Sequence, residues 1–325
     1  MSKVLAARHN NLYERIFNVL GNGAGGTGYG QGQGDGYGAA LESFPVSKLD
    51  NANNNIATAE TINAIYADLV RARIHQIGVE PTGIDEVIPN ANIIAEETSF
   101  FIEFGESDNL VGVQDENGTK KGILDFERLI SDIERDKFLI DSSQAILEPA
   151  ISSARTSPWN GIIVHEVAVI FRNADHRRHF FNSGGEIRIS LSNSGSVEPK
   201  GQDWGILCAN LGTVRFKASE TTAISVPIST QIGNYELTEN YQTLINYNGG
   251  GDFSGLYSDN IVTMSARQTN DSIINFKIEF KDLANEIPVD ENVTGRLESV
   301  FQQFRANSNS VSVPAPAFNN IIDIS

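Results

Sequence analysis

The spacing of apolar residues changes along the chain, from three or four residues in the first part to two residues further on. Apolar side chains recur at helical spacing in three stretches, and we predict a helix in each of them: Leu5–Leu20, Ile62–Ile74 and Ile123–Phe138. Gly21 follows the first stretch and Gly78 comes shortly after the second, and glycine is common just past the end of a helix. The first part of the chain is therefore predicted to be mainly helical.

The first two predicted helices repeat part of the same pattern. At one fixed offset, Asn10, Leu12, Tyr13 and Ile16 align with Asn63, Ile65, Tyr66 and Leu69. Matching apolar stripes are typical of a helical hairpin, or of one half of a bundle that a partner chain completes, and both remain open here. The third helix carries charges of alternating sign, which is typical of a solvated helix face.

From about Trp159 onward, apolar and polar residues alternate, as they do in antiparallel strands with one face in water. The predicted strands are Ile162–Phe171, Glu186–Ser192, Val214–Phe216, Leu244–Tyr247, Ile261–Ala266 and Asn275–Lys281. A short β region with an Asn-Gly turn at residues 117–118 is also predicted, between the second and third helices. The pattern predicts an α+β fold, in which a helical N-terminal region precedes an antiparallel β-sandwich or jelly-roll-like domain.

The C-terminal region, residues 286–325, is predicted to contain a helix over Val293–Phe304 and then an extended arm. The arm carries one charged residue, Asp323, and is too short to fold around a core of its own. Its apolar residues include Val311, Val313, Phe318, Ile321 and Ile322. We expect the arm to be disordered or to lie across another subunit. Two regions precede this one. Residues 1–150 form a helical and short-β docking region with a glycine-rich loop at 21–38, and residues 151–285 form the sandwich.

The chain is acidic, with 24 Lys and Arg residues against 41 Asp and Glu residues and a net charge of −17. Residues 1–150 contribute −12, residues 151–285 contribute −2 and residues 286–325 contribute −3. Proteins that bind nucleic acid neutralise phosphates with clustered basic residues, and an anionic membrane surface repels an acidic chain. We therefore expect neither a nucleic-acid nor a membrane partner. No signal-peptide-like or membrane-spanning apolar run is visible, which favours assembly in a cytoplasm.

Candidate chemistry is sparse. The single cysteine, Cys208, excludes a disulfide framework and a cysteine-based zinc site. Gly21–Gly26 fits the dinucleotide pattern G-x-G-x-x-G, but a helix precedes it where that site needs a strand. His165 misses the zinc-protease spacing, and Gly249–Asp252 lacks the regular oxygen ligands of a calcium loop. No catalytic constellation emerges, so we predict neither an enzymatic activity nor a cofactor.

One segment, Arg172–Phe181, is basic and aromatic within this acidic chain, and we predict that it forms a loop between strands. Its candidate interaction residues are Arg172, His176, Arg177, Arg178 and His179. Such a loop can bind a glycan, a phosphate or an acidic protein surface, and the acidic first half favours another copy or a companion subunit. The rival interpretation is a receptor- or glycan-binding module whose surface adds three aromatic residues, Tyr247, Phe253 and Tyr257.

Two stretches resemble a known group of proteins. The first stretch consists of the first predicted helix, the segment Gly28–Gln31 and the second predicted helix, which ends in Arg71–Gly78. The second stretch is Phe171–Arg188. Both resemble large virion structural proteins of contractile-tailed phages that infect marine cyanobacteria, and Trp204–Phe216 is more weakly similar to the same group. The resemblance implies a particle component associated with the tail or neck, located in the virion, and it supplies no catalytic residues.

Together these features lead us to expect a multimeric structural protein of a phage particle, whose partners are other virion proteins and copies of itself. The helical region would dock onto the particle, and the arm from Val311 to Ile324 would lie across a neighbouring subunit. The alternatives are a receptor- or glycan-binding module that recognises a host-surface glycan, and a capsid decoration protein.

Overall fold

The computed structural model describes residues 2–21, 36–43, 59–82, 123–249, 257–284 and 291–324. Within these residues the chain forms five α-helices and two antiparallel sheets of six strands each, which confirms the predicted α+β fold with a β-sandwich. It divides into two compact units: one comprises Met1–Ala145 and Ala306–Val313, the other Ile146–Arg305 and Pro314–Ser325. The β region predicted between the second and third helices, and positions 22–35 of the glycine-rich loop, lie outside the described residues.

The first unit contains the three predicted helices, α1 (Ser2–Leu20), α2 (Ala59–Ile77) and α3 (Ile123–Arg135). Two bidentate ion pairs join α1 to α3: Arg8 with Glu127, and Arg15 with Glu134. Both pairs have the same sequence separation of 119 residues, so the two helices run in the same direction. The predicted solvated face of α3 is therefore partly used for packing.

Helix α2 also runs parallel to α3. The Tyr66 ring contacts the Phe126 ring, and further along both helices Arg73 pairs at 2.7 Å with Asp136, the residue that follows α3. All three helices thus point the same way, so α1 and α2 do not form an up-and-down hairpin. A parallel arrangement requires long return connections, and the chain has them between the helices, at residues 21–58 and 78–122.

Tyr37, at the end of the glycine-rich segment, is part of the core of the first unit. Its side chain is fully buried, with its ring 4.9 Å from that of His75. The hydroxyl donates to the carbonyl oxygen of Lys137 at 2.7 Å and accepts from the Gln76 side chain at 3.0 Å. The segment predicted as a glycine-rich loop at 21–38 therefore supplies a core residue at this position.

The second unit is the sandwich. In spatial order, its first sheet contains β1 (Ala145–Arg155), β10 (Arg296–Ala306), β3 (Glu186–Ser194), β4 (Val214–Phe216), β5 (Thr221–Ala223) and β6 (Ser229–Thr230). Its second sheet contains β2 (Ile162–Ile170), β9 (Ile273–Lys281), β8 (Ile261–Asn270) and β7 (Gln242–Tyr247), with β11 (Ala317–Phe318) and β12 (Ile322–Ile324) on the outer side of β2. Phenylalanine rings fill the interior: Phe216 contacts Phe276 at 5.1 Å between ring centroids, and Phe276 contacts Phe301 at 5.9 Å.

The predicted C-terminal helix over Val293–Phe304 is wrong, because these residues supply most of strand β10. β10 pairs with β3 without interruption from Arg296 opposite Ser194 to Phe304 opposite Glu186. The region 286–325 is consequently not a unit of its own: β10 belongs to the sandwich, and the residues after it are shared between the two units.

Two helices of the sandwich unit were not predicted. They are α4 (Ala174–Asn182), which lies in the predicted basic loop, and α5 (Pro199–Leu211), which packs against β3. Proline is tolerated in the first turn of a helix, where its missing N–H is not needed, and Pro199 occupies that place in α5.

Candidate functional site

The basic segment forms a helix because its first turn is capped and its last turn is buried. The Asn173 side chain accepts a hydrogen bond from the backbone N–H of His176 at 2.8 Å, which is the arrangement of a helix N-cap. At the other end, Phe180 and Phe181 are fully buried in the aromatic core. The segment is therefore a fixed part of the sandwich unit, not the free loop that we predicted.

His176 holds the C-terminal segment in place. Its Nδ1 accepts the backbone N–H of Arg172 at 3.0 Å, so its Nε2 carries the proton and donates to the carbonyl oxygen of Pro314 at 2.8 Å. Burial lowers the pKa of this imidazole, because desolvation disfavours the charged form. The predicted interaction residue His176 is thus occupied within its own unit.

Arg177 is buried, with 5 % of its surface exposed. Its guanidinium donates to the side-chain and backbone oxygens of Asn234 at 2.6 and 3.1 Å, and to the carbonyl oxygen of Asn270 at 3.2 Å. None of these acceptors is a carboxylate, and burial lowers the pKa of Arg177 to about 10. The arginine thus brings a positive charge beneath the surface, and the charge of Asp271 offsets the effect of burial only in part.

Arg177 and Arg178 line a pocket with a volume of about 240 Å³, together with Asn234, Tyr235, Gln268 and Asp271. We call this the α4 pocket. Arg178 also forms an ion pair with Asp175 at 2.9 Å. The hydroxyl of Tyr235 donates to the Asn182 side chain, while 45 % of the residue remains exposed. Two of the five predicted basic-segment residues therefore meet in one pocket, whereas Arg172, His176 and His179 do not line it.

The C-terminal arm packs within its own chain. Val311 and Val313 are buried in the first unit, so neither is exposed for contact with a neighbour. Phe318 lies in β11 and Ile322 in β12, and both strands pair with β2. Ile321, between them, is half-buried. The arm was expected to lie across another subunit, and this placement corrects that expectation.

Asn319 joins the two short strands into one edge along β2. Its backbone N–H donates to the carbonyl oxygen of Ala168 at 3.1 Å, and its side-chain oxygen accepts the Ala168 N–H at 2.5 Å. The side chain thus takes the place of a backbone acceptor at the break between β11 and β12. The result is a continuous outer strand that covers the edge of β2.

An apolar patch lies on the outer face of this edge. Ile324 lies directly opposite Val164, Ile322 lies opposite Glu166, and Ile162 follows two residues from Val164 on the same face. Ile162, Ile322 and Ile324 are 50, 52 and 47 % exposed. We call Ile162, Val164, Ile322 and Ile324 the β12 patch.

Sequence analysis identified only Ile322 among the residues of the β12 patch as an interaction residue. The sequence of β2 contained a signal for two other residues of the patch. Ile163 and His165 fill the interior, yet Ile162 and Val164, on the opposite face of the strand, are apolar as well. A strand with apolar residues on both faces indicates that both faces are covered. In this structure the outer face is left open at that point.

The aromatic residues of the rival glycan surface are not surface residues. Tyr247 and Tyr257 are both buried in the sandwich unit, because each ring packs into the fold. Phe253 lies outside the described residues. The predicted aromatic surface is therefore wrong for the two tyrosines.

Comparison of the chain with protein families, with curated proteins and with solved structures gives no match. In the part of the chain that the structure describes, no group of three or more His, Cys, Asp or Glu side chains is placed to hold a metal ion. Among the described helices, none has the length and apolar character needed to cross a membrane.

Proposed function

We propose that the protein is a structural component of a tailed bacteriophage particle, associated with its tail or neck. It acts by binding other particle proteins and copies of itself. The setting is supported by the resemblance of Phe171–Arg188 and of the first two helices to virion structural proteins of marine cyanophages. The mode of action is supported by the exposed apolar surface of the sandwich.

The observation that carries this proposal is the β12 patch. Its three isoleucines are each about half exposed and follow one another along the edge formed by β12 and β2, where Ile322 faces Glu166 and Ile324 faces Val164. Burying apolar surface contributes about 25 cal/mol per Å², so contiguous exposed apolar residues favour association. Among the described residues, no strand pairs with the outer edge of β12, so its backbone groups are available to a partner strand.

Strand β1 gives the first sheet a second open edge. None of its eleven residues is buried, and its exposed residues include Leu147. In the described part of the chain it has a neighbour, β10, on one side only. Pro149 has no N–H to donate, which limits the length of any strand that pairs there. Such an edge allows a short, specific contact and resists indefinite stacking.

The proposal is tested by the protein composition of purified phage particles from the infection in which this chain is made. We expect mass spectrometry to find the chain in several copies per particle, and immunogold labelling to place it at the tail or neck. A chain that stays in the soluble fraction of the lysate and is absent from washed particles would contradict the proposal.

A further inference from the structure

The α4 pocket contains hydrogen-bond donors that the fold does not use up. A guanidinium has five N–H bonds, and Arg177 directs three of them to Asn234 and Asn270. Two N–H bonds therefore remain for a ligand, on a side chain that is almost completely buried and that lines the pocket. Because the Arg177 side chain is already held in place, it loses little conformational entropy when a ligand binds.

Acceptors line the same pocket. The carboxylate of Asp271 is exposed, and its charge acts on Arg177, where it offsets part of the effect of burial on the pKa of that guanidinium. The side chain of Gln268 adds an amide, which both donates and accepts. The pocket thus offers donors and acceptors within one small volume.

Tyr235 adds an apolar surface to these polar groups. Its hydroxyl is held by the Asn182 side chain, so the ring is fixed in place while almost half of the residue stays exposed. A fixed aromatic face beside polar groups suits a ligand that has both C–H surface and hydroxyl groups.

This combination of groups discriminates between ligand classes. A free carboxylate or an acidic peptide would satisfy Arg177 and Arg178, but the carboxylate of Asp271 would repel it. A sugar ring presents hydroxyls that donate to Asp271 and accept from the arginines, and its C–H face packs on Tyr235. The lining of the pocket therefore matches a saccharide better than an acidic protein segment.

We propose that the α4 pocket binds a saccharide unit, in which Tyr235 contacts the ring face, Asp271 accepts from hydroxyl groups, and Arg177 and Arg178 donate. The site is distinct from the β12 patch and goes beyond the assembly role. A particle protein with such a pocket would bind a glycan in addition to its assembly partners.

The test is titration of the full chain with glucose, galactose, N-acetylglucosamine, glucuronic acid and galacturonic acid, monitored by saturation-transfer NMR. We expect at least one sugar to bind with a dissociation constant in the millimolar range. The uronic acids separate acidic from neutral recognition. Tyr235→Ala and Asp271→Asn are expected to weaken binding at least tenfold, because each removes one of the proposed contacts while Arg177 stays in place.

The matched control is Asp259→Asn, which removes an exposed carboxylate from another turn of the same unit and is expected to leave binding unchanged. Thermal melting of each variant shows whether it is folded. The proposal is overturned if no sugar binds, if binding survives both pocket substitutions in a folded protein, or if glutamate and a Glu-rich peptide bind more tightly than every sugar. The last result would assign the pocket to a protein partner.

Discussion

At the scale of single residues, burial decides what each side chain of the basic segment does, because His176 and Arg177 lie beneath the surface of the sandwich unit. The five basic-segment residues were expected to share one exposed loop. Burial separates them instead: His176 holds the backbone of Pro314, while Arg177 and Arg178 line a pocket. Sequence alone could not show this, because the direction of each side chain depends on the nine-residue helix that Asn173 caps.

A buried ion pair in the sandwich unit gives the first prediction. The side chains of Lys200 and Asp282 are both fully buried, with Nζ 2.9 Å from a carboxylate oxygen, and the ammonium also donates to the carbonyl oxygen of Glu291. Lys200→Met removes the cation that neutralises Asp282. We expect the free energy of unfolding, measured in urea, to fall by about 3–5 kcal/mol.

The control for this prediction is the double variant Lys200→Met with Asp282→Leu. It removes both charges and keeps apolar volume at the site, so we expect it to recover most of the lost stability. A single variant that is as stable as the double variant would contradict the structural role of the pair.

The second residue-scale prediction concerns pH. Burial lowers the pKa of His165, and its Nδ1 lies 2.8 Å from the Ser299 hydroxyl. The native state keeps this imidazole neutral, whereas the unfolded state takes up a proton near its ordinary pKa of 6.5. The stability is therefore fully present above that pKa and is lost as the pH falls through it towards the lowered native pKa.

We expect the melting temperature to fall as the pH is lowered from about 8 to about 5. His165→Asn should make this dependence shallower without abolishing it, because the pKa values of His9 and His176 are also lowered by burial. A pH dependence that is the same in the wild type and in His165→Asn would contradict the role given to His165.

At the scale of elements, the helices and strands that were predicted are those whose apolar period is unambiguous. Helices α1, α2 and α3, and strands such as β3 and β9, have one clear period each. β10 does not: Leu297 and Phe301 are four residues apart, which fits one turn of a helix and also two repeats of a strand. Pairing with β3 decides between them, and that pairing is not visible in a local pattern.

Helix α5 was missed although its signal is present. Its buried residues Trp204, Leu207, Cys208 and Leu211 recur at helical spacing, and Pro199 marks its start. Gly201 and Gly205 weakened the pattern, because glycine lowers helix propensity. Packing against β3 stabilises the helix where propensity does not.

The ion pairs between α1 and α3 give the prediction at this scale. Arg15 and Glu134 form a bidentate pair whose side chains are partly exposed, so its contribution is at most about 1 kcal/mol. We expect Arg15→Gln to lower the free energy of unfolding by that amount at low salt, and by much less at high salt, because salt screens an exposed pair.

The double variant Arg15→Gln with Glu134→Gln completes a thermodynamic cycle for this pair. If the pair is coupled, the double variant loses less stability than the two single variants together. Additive losses that do not change with salt would show that the pair contributes nothing to the parallel arrangement.

At the scale of the whole molecule, the C-terminal segment shows where prediction from sequence stops. A short segment with few charges has the same pattern whether it pairs with its own chain or with another. The structure returns Ala306–Val313 to the helical unit and pairs β11 and β12 with β2. The apolar interaction surface that was expected on a free arm is instead the β12 patch, which lies on the outer face of a completed sheet.

The central claim is that the β12 patch binds the protein into a particle, and particle incorporation of patch variants tests it most directly. Ile322→Asp with Ile324→Asp adds two charges to the patch, and the control Val197→Asp with Ile224→Asp adds two charges at other exposed apolar residues. In particles purified by density gradient, we predict that the control is incorporated like the wild type. Incorporation of the patch variant, whose melting curve shows that it is folded, should fall at least tenfold. Incorporation equal to that of the control would contradict the account.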